Sequence, residues 1–177
     1  MIQKIRIIFV LVVLAYTSFG QPLTIEQVRD MYFGGWDGQC GATELSQTLS
    51  KINSNIDPVL MAYKGAAIST TANCRKMPFA KWNTFNEGKA LIEQAVTLAP
   101  ENIEVRFLRF TVQSNIPGFL NYNHLVEDRQ FLLNSVKTVT LASKSDNLKK
   151  LILIFLLDSG QLEKDEQMMI EQILAKH

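Results

Sequence analysis

The chain reads as all-α: a single domain of about seven to eight helices with no sheet. Three observations predict this. Helix-start signals recur, with Thr24 three residues before Gln27 and Asp57 directly before Pro58. Apolar residues between such signals return at spacings of three and four, the period of one helix face. Finally, no two segments alternate as a pair of strands would, and a lone strand would leave its backbone groups unsatisfied.

The first twenty residues stand apart from that domain. Lys4 and Arg6 precede an uninterrupted apolar run, Ile7 to Ala15, and small residues follow at Ser18 and Gly20. This is the layout of a secretory signal, with cleavage expected between Gly20 and Gln21. The run supplies roughly half of the 20 or so apolar residues that a bilayer span needs. A lipoprotein would need a cysteine directly after the cleavage point, and the first cysteine is Cys40. The expectation is a secreted or periplasmic protein, residues 21–177, with no membrane span once the signal is removed.

Each helix has its own justification. Thr24 and Gln27 form a capping box that opens a helix through Val28 and Met31 towards Phe33, stopped by Gly34 and Gly35. Trp36-Asp37-Gly38 reads as a turn, and a second helix covers Thr43 to Ile52. In the third, Asp57 caps the open N–H groups and Pro58 fits the first turn, where its missing N–H costs nothing. That helix, Val59 to about Ala72, carries Ala62, Gly65, Ala66, Ala67 and Ser69. Side chains so small let a neighbouring helix approach closely.

Asn73 to Asn83 is the least regular internal stretch, where Pro78 argues against one continuous helix. A fourth helix runs from about Thr84 to Leu98, with Leu91, Ile92, Ala95, Val96 and Ala99 on one face, and Pro100 ends it. The next segment fits two periods. Ile103, Val105 and Phe107 alternate as a strand would, yet Ile103, Phe107 and Phe110, or Val105, Leu108 and Val112, fit a helix. With no partner strand in view, helix is the assignment. Pro117-Gly118 breaks the chain. Leu125 to Val139 follows with Leu125, Val126, Leu132, Leu133 and Val136 inward. Ser145 caps a helix containing the run Leu151 to Leu157, too short to span a membrane and so expected to be mostly buried. Ser159-Gly160 closes it. A last helix, about Glu163 to Ala175, buries Met169, Ile170, Ile173 and Leu174.

Composition narrows function mainly by exclusion. Loss of Lys4 and Arg6 with the leader takes the formal net charge from +1 to −1. That overall balance gives no electrostatic reason to expect nucleic acid or anionic lipid as a partner. Cys40 and Cys74 could pair in an oxidising compartment, contributing roughly 3.5 to 4 kcal/mol by loop closure. The plainer expectation is two buried free thiols. His124 and His177 lie too far along the chain to complete a metal site with them, so no metal or other cofactor is expected.

The helix from Pro58 and the segment Gly88, Ile92, Ala95, Pro100 carry a resemblance. The spacing small, bulky, small, proline resembles the second helix of a tetratricopeptide-type pair, and Tyr63, Ala66 and Ala67 suit the first. Arg106, Arg109, Phe110 and Gln113 depart from that pattern, and the stretch after Asn73 lengthens the connection by about nine residues relative to such a pair. The order AYKGAA, KWNTFNEGKALIEQAV, PENIEVRFLRFTVQSNIPGFLNY is similar to a group of small secreted bacterial proteins of unknown function. The resemblance implies export and helical hairpins, and brings no active site with it.

No nucleophile elbow, phosphate loop, HExxH or CxxC motif occurs. His124 is expected at a helix start or on the surface, and the acidic groups Glu127-Asp128 and Glu163-Asp165-Glu166 as solvated helix faces. No catalytic residue is assigned. Arg106 and Arg109, three apart beside Phe107 and Phe110, could grip a carboxylate or phosphate, or simply pair with acids such as Glu93 or Glu104; pairing is the plainer expectation. Arg75, Lys76, Phe79 and Trp82, with Met77 and Lys81, form a binding-loop candidate unless Phe79 and Trp82 tuck onto the core, again the plainer expectation. The function expected is an exported, non-catalytic adaptor for a protein or peptide partner. The alternatives are an anionic small-molecule binder or, further off, a hydrolase with dispersed residues.

Overall fold

The computed structural model describes residues 23–34, 40, 42–52, 57–117, 122–137 and 146–175. These contain eight α-helices and no strand: α1 (Ile25–Phe33), α2 (Ala42–Lys51), α3 (Pro58–Thr71), α4 (Pro78–Leu98), α5 (Ile103–Ser114), α6 (Leu125–Lys137), α7 (Asp146–Asp158) and α8 (Lys164–Ala175). The all-α expectation is met, in one domain. The expected leader with its Gly20–Gln21 cleavage point, Gly35, the Trp36-Asp37-Gly38 turn, Gly118 and the Ser145 cap lie outside the described residues. No described helix is long and apolar enough to cross a membrane.

Side-chain caps mark three of the helix starts. The Thr24 hydroxyl accepts from the Gln27 N–H at 3.3 Å, and the Gln27 side chain accepts from the Thr24 N–H at 2.8 Å. Asp57 accepts from the N–H groups of Val59 and Leu60, and Asn102 does the same at α5 for Glu104 and Val105. At the other end of α7, Gly160 turns the chain with φ +66°, a conformation that glycine adopts without steric cost.

The fourth helix is the main correction to the element boundaries. It begins at Pro78, six residues before the expected Thr84. Proline at the first helical position loses nothing, because its N–H would be unpaired there anyway. The irregular stretch is therefore only a 3₁₀ turn (Ala72–Cys74) and Arg75–Met77.

α3 and α4 make the closest pair, crossing at Gly65 and Gly88. A methyl group on Gly88 would lie 2.4 Å from the Gly65 carbonyl oxygen and 2.3 Å from Ser69 Oγ. Neither helix could approach so closely with a larger residue. Measured from this crossing at 1.5 Å per residue, α4 runs roughly 6 Å past the C-terminal end of α3.

α5 is the hub. It packs against α3 and α4 on one side and against α6 and α7 on the other. Val105, Leu108 and Val112 join a core with Val28, Leu45, Leu49, Met61, Tyr63, Ala66, Ile92 and Ala95. Phe107 and Phe110 join a second core with Leu132, Leu133, Ile152, Leu156 and Ile170. Both alternative helical faces read from the sequence are thus real, each facing a different core. Phe33 stacks on Phe107 with centroids 5.3 Å apart and ties the two cores together.

Two inward faces differ from expectation. On α6, Leu132, Leu133 and Val136 are buried, but Val126 is 56% exposed. The inward stripe on that helix is 125, 128, 132 and 136, so Asp128 occupies the place nearest α5 and turns Val126 outward. On α8 only Ile170 is fully enclosed, with Met169, Ile173 and Leu174 packed at the edge of the second core. The apolar run of α7 behaves as expected, with Ile152, Leu153 and Leu156 buried and Ile154 partly outside.

Candidate functional site

The sequence-predicted residues fall into two sets. Arg106 and Arg109 belong to a buried ionic network. Arg75, Lys76, Phe79 and Trp82 belong to the exposed tip of the α3–α4 hairpin. Among the described residues no ion pair or hydrogen bond joins the sets.

Asp128 lies at the centre of the network and is fully buried. Its Oδ1 accepts from Arg106 Nε and from Arg109 Nη2 at 2.8 Å; its Oδ2 accepts from Arg109 Nε at 2.7 Å and from Gln113 Nε2 at 3.0 Å. Arg106 also donates to Glu127 at 2.7 Å and stacks its guanidinium 4.6 Å from the Phe131 ring centre. Arg109 donates to Glu93 at 3.1 Å. Burial works to lower the Arg109 pKa, but the hydrogen bonds and charge of Asp128 more than offset it, and the net shift is upward. Arg109 therefore stays charged.

This geometry corrects two expectations. Asp128 is an internal anchor, not part of a solvated face. Arg106 and Arg109, at 7% and 3% exposure, face internal carboxylates and do not line an open anion groove. Of the two partners expected for them, Glu93 pairs with Arg109, whereas Glu104 belongs to a second cluster. There it accepts two hydrogen bonds from Arg29, both 2.9 Å, and one from the Tyr63 hydroxyl at 2.7 Å. His124 stands at the start of α6 as expected, exposed, with Nδ1 3.1 Å from Glu127.

The hairpin tip is built differently. Cys40 and Cys74 are joined in a disulfide with Cα atoms 5.6 Å apart, which ties the approach to α2 to the 3₁₀ turn at the base of the tip. Arg75 Nε donates to Thr84 at 3.2 Å, folding that side chain along the first turns of α4. Met77, Phe79 and Trp82 are 68%, 75% and 46% exposed. The expectation that Phe79 and Trp82 tuck onto the core is overturned for Phe79, whereas Trp82 is slightly more than half covered. Phe79 and Trp82, three apart, share one helix face; measured from the same crossing, Trp82 is level with the end of α3 and Phe79 lies roughly 4–5 Å beyond it, beside the 3₁₀ turn. The buried face of α4 begins only at Phe85. Met77 caps α4 without a side-chain hydrogen bond, so N–H groups of its first turn remain open beside Lys76 and Lys81.

Sequence reasoning placed cations and aromatics at this tip; it missed the exposure of Phe79, which depends on how far the neighbouring chain covers the first turn of α4. A cleft of about 310 Å³ between α6 and α8, lined among others by Gln130, Asn134, Lys137, Asp165, Glu166 and Met169, lies apart from both sets. The chain matches no protein-family model, no curated protein and no solved structure.

Proposed function

We propose that this is an exported, non-catalytic helical adaptor that docks a protein partner through the tip formed by Arg75, Lys76, Met77, Phe79, Lys81 and Trp82. One observation carries the reading: two large apolar side chains, Met77 and Phe79, are mostly in solvent and a third, Trp82, is nearly half so, close in sequence to three cations on a hairpin braced by a disulfide. Exposed apolar side chains so clustered mark interaction surfaces, and Trp, Phe, Met and Arg are the residues enriched at interface centres. Export is supported by the basic and apolar leader and by the disulfide, which persists in oxidising compartments. The close Gly65–Gly88 crossing supports a tetratricopeptide-like hairpin, a unit whose stacked copies make binding surfaces.

The test is the double substitution Phe79→Ser/Trp82→Ser. Surface changes of this kind shift stability by about 0.5 kcal/mol or less each, so the protein should stay folded. A partner crosslinked to the wild-type chain in the extracytoplasmic fraction should disappear. Retention of that partner at wild-type level would remove the tip as the docking surface.

A further inference from the structure

Building on the docking reading above, we infer that the tip recognises an acidic segment of its partner that also carries a large apolar side chain. The charge distribution points there. Between Asp57 and Glu87 the chain contains no acidic residue, although it has 17 in all, and it contains Lys64, Arg75, Lys76 and Lys81. The rest of the molecule is net acidic, so the local excess is a property of this hairpin and not of the protein as a whole. Lys76 and Lys81 form no ion pair among the described residues, whereas Arg29, Arg106, Arg109 and Arg129 are all neutralised internally. Among the described residues, the charge of Lys76 and Lys81 is thus uncompensated, which favours an acidic group on a partner.

The apolar component sets the second requirement. Phe79 and Trp82 present a ridge on α4, flanked by Met77, on which a partner's aromatic or aliphatic side chain can pack while its carboxylates meet Lys76 and Lys81. The open N–H groups at the start of α4 add to the same preference, since a helix N-terminus favours negative charge. An anionic membrane offers charge too, but three cations at about 1 kcal/mol each give only marginal adhesion, so an acidic peptide segment fits better.

The experiment installs the photoreactive residue p-benzoylphenylalanine in place of Phe79 in the full-length chain, in its own host, and sequences what is captured on irradiation. The expected product is a protein segment rich in Asp or Glu with at least one large apolar residue. A synthetic peptide of that segment should bind the wild-type protein, weaken about tenfold between low and high salt, and weaken comparably for Lys76→Glu/Lys81→Glu. A captured segment without acidic excess, bound independently of salt, would overturn this inference and leave the docking reading standing. Capture of lipid, with binding to phosphatidylglycerol vesicles but to no peptide, would overturn it in favour of a membrane surface. No capture at position 79 from a correctly folded, oxidised protein would overturn both.

Discussion

Replacing Asp128 by alanine should be among the most damaging single changes available in this protein. The carboxylate receives four hydrogen bonds, three of them from the guanidinium groups of Arg106 and Arg109, and none of it reaches solvent. Its removal strands two positive charges in the interior, with only the half-exposed Glu127 and Glu93 left near them. Breaking a buried pair from one side costs about 3–5 kcal/mol. For a domain of this size that corresponds to a fall in Tm of roughly 10 °C. Urea denaturation followed by circular dichroism measures it directly, as a drop in midpoint with an unchanged slope. The same reasoning makes a second demand. Asp128→Leu combined with Arg106→Met and Arg109→Met removes the stranded charge with its partners and should recover most of the loss, because apolar replacement of a buried network is often neutral. A loss below about 1 kcal/mol for Asp128→Ala, or a triple variant no better than the single one, would refute the account.

Three further outcomes are expected. Gly88→Ala gains about 1 kcal/mol of helix propensity but places a methyl group 2.3–2.5 Å from Ser69 and the Gly65 carbonyl; forcing α3 and α4 apart should leave a net loss of up to about 2 kcal/mol in urea, and a stabilised variant would contradict the close crossing. Reducing the disulfide, which spans 34 positions, should lower stability by about 3.5 to 4 kcal/mol on loop-closure grounds, read as a lower denaturant midpoint in dithiothreitol that Cys40→Ser/Cys74→Ser reproduces. Glu127 is held below the ordinary carboxylate pKa, first by its hydrogen bond to His124 and then by the nearby Arg106 and Arg109. Its contribution is present above its unfolded pKa and lost as pH falls through the folded one, so Glu127→Gln should flatten the acid limb of stability below about pH 4.5 and leave neutral pH behaviour comparatively unaltered; an unchanged acid limb would count against it.

What could be read from the sequence follows the range of the interactions involved. The Thr24–Gln27 box and the Asp57–Pro58 start are closed within a single turn, so their residues announce them. Gly88, Ile92 and Ala95 also read correctly, because a crossing of two consecutive helices needs small residues at a fixed spacing. α5 was harder to read: its polar face, Arg106, Arg109 and Gln113, is buried against Asp128 and not turned to solvent, and Val105, Phe107 and their neighbours fit two patterns at once. Pro78 misled because proline both ends helices and opens them, and the choice depends on Met77 and Arg75 leaving the helical path. Asp128 could not be recognised at all. Beside Glu127 and Arg129 it looks like any solvated charge, and only the approach of α5 from 15 to 22 residues upstream makes it an anchor. The exposure of Phe79 was hidden for a related reason, since it depends on how much of the first turns of α4 the end of α3 and the following 3₁₀ turn cover.

The position of α5 bears on how the molecule comes apart. Its residues 104–113 are all buried, and its side chains are shared between both hydrophobic cores. Neither core can open its wall against this helix without exposing apolar surface of the other. The two halves of the chain therefore melt together, and cutting between α5 and α6 yields no self-sufficient fragment. In hydrogen–deuterium exchange, the central amides of this one helix would be the last to exchange, opening only when the whole domain does.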